Sequence, residues 1–105
     1  MAFLNLHKEK LKQNFDYLKE LFESQDVSWG VVSKLFCGNR AYLKELIDLG
    51  VREIHDSRIS NLAKVKEINP EVKVLMLTVF DDHQNIFQAL QNGANGYILK
   101  KTPPA

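Results

Sequence analysis

The chain has 105 residues, 45% of them hydrophobic, with 14 Lys and Arg against 13 Asp and Glu and a formal net charge of +1. That length bounds it at one domain, spanning 1–105, with room for one core. A charge so near zero gives no electrostatic case for a nucleic-acid partner or an anionic membrane surface.

In chain order, "AFLNL" (2–6) reads as a short strand. Over 8–24, Leu11, Phe15, Leu18 and Phe22 fall on one helical face, with Lys and Glu opposite. "SWGVVSK" (28–34) is rich in β-formers. "NRAYLKELIDLG" (39–50) predicts a helix with a Leu43, Leu46, Ile47 stripe and Gly50 as its stop. "VREIHD" (51–56) is a weak strand, and Ser57 is placed to cap a helix carrying Ile59, Leu62 and Val65 that ends before Pro70. "KVLMLTVF" (73–80) has the composition of a strand buried on both faces. Asp81 or Asp82 is placed to cap a helix through Ile86, Ala89 and Leu90, stopped at Gly93, and "GYILK" (96–100) is the last strand.

This alternation predicts an α/β protein: a three-layer, flavodoxin-like parallel sheet of about five strands with helices on both faces. If 2–6 stays out of the sheet, the alternative is a half-barrel of βα units that dimerises. In both arrangements functional groups belong at the carboxyl ends of strands, at His7, Lys34, Asp56, Thr78 and Lys100 or their neighbours. No apolar run approaches the roughly 20 residues of a membrane helix. The N-terminus lacks a signal-peptide pattern, and the single cysteine, Cys37, fits a reducing cytoplasmic setting.

Two stretches resemble different families. Residues 69–104, through "NPEVKVLMLTVFDD" and "ALQNGANGYILKKTPP", resemble the receiver domain of response regulators. The resemblance implies that Thr78 stands at the switch hydroxyl and Lys100 at the lysine that pairs with an aspartyl phosphate, which makes both anion-site candidates. A receiver opens with a strand running into two adjacent acids that hold Mg²⁺. Here that place reads "NLHKEK", with Glu9 the only acid nearby. Asp56 falls near the phosphoacceptor position, yet one carboxylate without the acidic pair is a poor Mg²⁺ site, so it is expected to cap the following helix or pair with a lysine.

Residues 2–66 instead resemble the start of an alanine-racemase-like, fold-type III barrel that uses pyridoxal phosphate (PLP). The residues are "FLNLHKEKLKQNFDYLKELF", "GVVSKLFCGN" and "LIDLGVREIHDSRISNLAKVK". The resemblance implies that Lys34 stands where that family holds PLP covalently. The strands that would complete a cofactor site are replaced by receiver-like sequence, so no cofactor is expected and Lys34 reads as a solvated strand end. Together the resemblances imply a recombined, engineered chain with a junction near 66–73 and no turnover. The alternatives are a receiver-like interaction module that cannot be phosphorylated, and a weak PLP binder through Lys34.

Four smaller expectations follow. His55 and Asp56 are adjacent on a strand, so they face opposite ways and form no dyad. Cys37 is expected to be partly buried. His7, His55 and His83 lack metal-ligand spacing, and no metal is expected. The chain stops where a receiver continues into a final helix, which leaves the last strand open to a homodimer contact.

Overall fold

The computed structural model describes residues 5–78 and 83–99. Its elements in order are α1 (Lys8–Ser24), β1 (Val31–Val32), a 3₁₀ turn (Lys34–Phe36), α2 (Arg40–Leu49), β2 (Glu53–Asp56), α3 (Ile59–Ile68), β3 (Lys73–Thr78), α4 (His83–Gln91) and β4 (Gly96–Leu99). The four strands form one all-parallel sheet in the order β1-β2-β3-β4. The α/β class and the flavodoxin-like alternation of strand and helix are as expected.

Of the expected first strand, residues 2–4 lie outside the described residues, and Asn5 and Leu6 are not in a strand. The sheet therefore counts four described strands where about five were expected. Asp81, Asp82 and Lys100 also lie outside the described residues.

The helices form where the periodicity puts them. In α1 the expected stripe narrows to Phe15, the helix's one buried residue, while Leu18 is 38% exposed. Phe15 and Phe22 both pack on Trp29, with ring centroids 5.5 and 5.3 Å away. The Asn39 side chain caps α2 by accepting from the Tyr42 amide, and Gly50 ends it at φ +110°, a left-handed conformation that a side chain would strain. Ser57 does not cap α3. The cap residue is Arg58, and the preceding Asp56 carboxylate takes the Ser57 and Arg58 amides instead.

The buried apolar residues form one cluster on one face of the sheet. Ile54, Val74 and Met76 supply its floor, and Phe15, Leu43, Leu46, Leu62, Val65 and Ala89 reach it from all four helices. The expected helices on both faces are thus found, among the described residues, contributing to one core side. Strand order fits this: where four parallel strands advance in one direction, crossovers of one hand put their helices α2, α3 and α4 on the same side. Burial in β3 consequently alternates, with Val74, Met76 and Thr78 buried and Leu75 and Leu77 only partly so, where burial on both faces was expected.

The turn before β4 is tied to the α3–β3 loop by Lys66. Its ammonium donates to the Val72 carbonyl at 2.6 Å, the Asn95 side-chain oxygen at 2.9 Å and the Pro70 carbonyl at 3.3 Å. Partial burial draws this amine below the usual lysine range. The clamp spans the stretch where the two sequence resemblances meet.

Candidate functional site

Parallel strands bring their carboxyl ends to one edge, and three polar residues meet the core there: Ser33 just after β1, Asp56 at the end of β2 and Thr78 at the end of β3. Asp56 shares the inward face with Ile54, two residues back, so its carboxylate enters the core and is 2% exposed. The Ser33 amide donates to the His55 carbonyl at 3.1 Å, which extends the β1–β2 ladder by one residue. That step sets the Ser33 hydroxyl against Asp56, donating to Oδ2 at 2.7 Å.

The remaining lone pairs of the carboxylate are also taken. Oδ1 accepts from the Ser57 amide at 2.7 Å and the Arg58 amide at 3.0 Å. Asn61, in the first turn of α3, reaches back so that its Nδ2 donates to Oδ1 at 3.1 Å and Oδ2 at 3.2 Å. Gly38 closes the cluster from above. It sits at φ +75°, and a Cβ there would run into Asn61 Oδ1 and come within 2.9 Å of Lys64 Nζ, so this loop approaches Asn61 only as glycine. No buried side-chain nitrogen or oxygen among the described residues lacks a partner.

Both oxygens of the carboxylate are thus engaged. An oxygen offered to a phosphoryl donor would first have to give up two or three of these bonds. Among the described residues no three His, Cys, Asp or Glu side chains come together as a metal site would need.

The other sequence-predicted residues are scattered. Thr78 is buried and lines a cavity of about 230 Å³ with Ser57, Arg58, Ser60, Asn85 and Tyr97. Its expected companion Lys100 lies outside the described residues. Lys34 is exposed and opens the 3₁₀ turn rather than ending a strand, because β1 stops at Val32. It lines neither that cavity nor the 930 Å³ groove at the opposite edge of the sheet, whose wall carries Trp29, Arg52, Glu53, Glu71 and Lys73. His7 precedes α1, exposed, at no strand end. His55 turns away from Asp56 and meets Glu53 on the opposite face, with Nε2 and Oε2 2.8 Å apart.

Cys37 is exposed, contrary to the expected partial burial, since it is the left-handed residue at φ +50° that ends the 3₁₀ turn. Ser33 and Asn61 went unread in the sequence, although each left a signal. Ser33 interrupts an apolar strand, and Asn61 sits on the same helical face as Leu62 and Val65.

No family model matches the chain. A stretch of 48 residues, 46% of the chain, is 46% identical to the oxygen regulatory protein NreC of Staphylococcus haemolyticus and, equally, to that of Staphylococcus aureus. The matched stretch amounts to 22% of each of those proteins, so the chain spans about a fifth of the relatives it matches. The match supports a receiver-like part and does not bear on the racemase-like resemblance of residues 2–66. Among the described residues no helix is long and apolar enough to cross a membrane.

Proposed function

We propose that this chain is an engineered α/β scaffold recombined from barrel-derived and receiver-derived βα units, without catalytic turnover, in which Asp56 holds the fold together. The carrying observation is the Asp56 carboxylate, 2% exposed and engaged by Ser33, Asn61 and two backbone amides. Both parent types use parallel βα units. A splice near 66–73 preserves the layers, with Leu62 and Val65 on one side of it meeting Val74 and Met76 on the other. The single thiol suits a reducing cytoplasm.

Incubation with acetyl phosphate and Mg²⁺ tests the reading. Intact-mass spectrometry should show an unmodified chain. A gain of one phosphoryl mass that Asp56→Ala abolishes would overturn it.

The partial match to NreC favours a second reading, a receiver-like module that binds partners without being phosphorylated. On that reading the cavity beside Thr78, with Arg58 and Asn85, keeps an anion-binding character.

The third reading, a weak PLP site at Lys34, has less in its favour. Lys34 is exposed and lines neither cavity, so among the described residues no enclosing wall surrounds it for the phosphate or the ring. With added PLP, the absorbance of the Lys34→Ala variant should match that of the parent. A band lost specifically in the variant would restore this reading.

A further inference from the structure

The large apolar side chains left exposed are not spread over the surface. Tyr17, Leu18 and Leu21 lie on α1, and Val27, Val32 and Leu35 lie between the end of α1 and the turn after β1. Phe87 and Leu90 lie on α4, and Ile98 on β4. Among the described residues, none lies on α2, β2, α3 or β3. Exposure of this kind is therefore confined to the first and last αβ units, which are the two edges of the sheet. Single exposed apolar residues need no explanation, but two groups segregated to opposite edges of one layer do.

The topology says what would cover them. Four parallel strands in sequential order, with their helices on one side, are half of a closed eight-stranded βα barrel. Among the described residues β1 and β4 each pair with one strand, so they are the two edges of the sheet. Helix α1 comes before β1, the edge strand among the described residues, and its Tyr17 and Leu21 remain 69% and 44% exposed.

We infer that the occupant is a second copy of this chain, docked edge to edge. β4 and α4 of each copy meet β1 and α1 of the other, so that two copies close an eight-stranded ring. Each α1 then covers the strand pair formed between copies, and Phe87 and Leu90 of one copy pack against Leu18 and Leu21 of its partner. The contact joins unlike edges, yet two copies satisfy it twice and leave no edge free, which stops growth at a dimer.

The test is solution mass by light scattering on the full chain, with variants on the outer faces of the edge helices. The parent should run at twice the 12.1 kDa chain mass. Leu21→Lys and Phe87→Glu should each run at the single-chain mass with an unchanged circular-dichroism spectrum, since both sites are exposed and outside the core. Mixing the two variants should restore a dimer containing one of each. In that pair one contact keeps Leu21 and Phe87, and the other sets the new lysine against the new glutamate. A parent that stays monomeric at millimolar concentration would overturn the inference. So would a dimer that survives both substitutions, a mixture that fails to re-form, or an open-ended series of larger oligomers.

Discussion

Asp56→Ala is expected to destabilise the chain by about 4 kcal/mol, a large share of the roughly 5–15 kcal/mol that holds a domain of this size folded. The substitution strands several donors together. The Ser33 hydroxyl and the Asn61 amide lose their acceptor in the core, and the partly buried backbone amides of Ser57 and Arg58 lose it beside them. A buried donor left without a partner costs about 1–3 kcal/mol, and the two side-chain donors can recover part of this by turning toward other acceptors. Asp56→Asn keeps one acceptor oxygen and places a second amide donor facing that of Asn61, so about half the loss is expected. Urea unfolding measures both, with the midpoint moving and the slope held. A loss below about 1 kcal/mol for the alanine variant would mean that the cluster contributes little to stability.

Leu62→Ala is expected to cost about 3 kcal/mol, within the range of roughly 2–5 for a leucine removed from a closed core. Leu62 is fully buried, in the cluster that joins α3 to Ile54, Val74 and Met76. Its side chain therefore packs α3, before residue 70, against the strand that follows it, and the cavity it leaves is bounded by sheet residues that hydrogen bonding holds in register. Thermal unfolding followed by circular dichroism should show one transition at a lower midpoint. Two separated transitions would indicate that the segments on either side of residue 70 unfold independently, contrary to the shared core.

Much of the architecture was legible because helix and strand periods differ. Lys8–Ser24, Arg40–Leu49 and Ile59–Ile68 lie close to where the 3.6-residue stripes put them, and Gly50 ends its helix as its freedom at positive φ suggests. Local rules erred where two residues competed for one role. Ser57 looked like the cap of α3, but the helix starts one residue later, with Arg58 at the cap position, and the charged Asp56 carboxylate accepts the amides of Ser57 and Arg58 that lead into it. The strand expected over 28–34 shortened to Val31–Val32, with Gly30 lying close under the His55–Glu53 pair, where a Cβ would come within 2.6 Å of His55 Nε2.

The candidate site was half legible. Asp56 and Thr78 were named because both end strands, and strand ends meet at one edge in any parallel sheet. That Asp56 turns into the core while Lys34 stays outside was not readable. Lys34 follows a strand too short to carry it, and Asp56 ends one whose inward face is fixed by pairing on both sides.

By itself, the sequence determined the elements, their alternation and hence an all-parallel α/β sheet, since these follow from side-chain period and turn chemistry within a few residues. Only the tertiary structure decided the order β1-β2-β3-β4, the placement of the core on one face and the union of Ser33, Asp56 and Asn61. Strand order depends on which edges meet across tens of residues. The partners of a buried carboxylate depend on that order, because residue 33 joins 56 and 61 only once β1 pairs with β2.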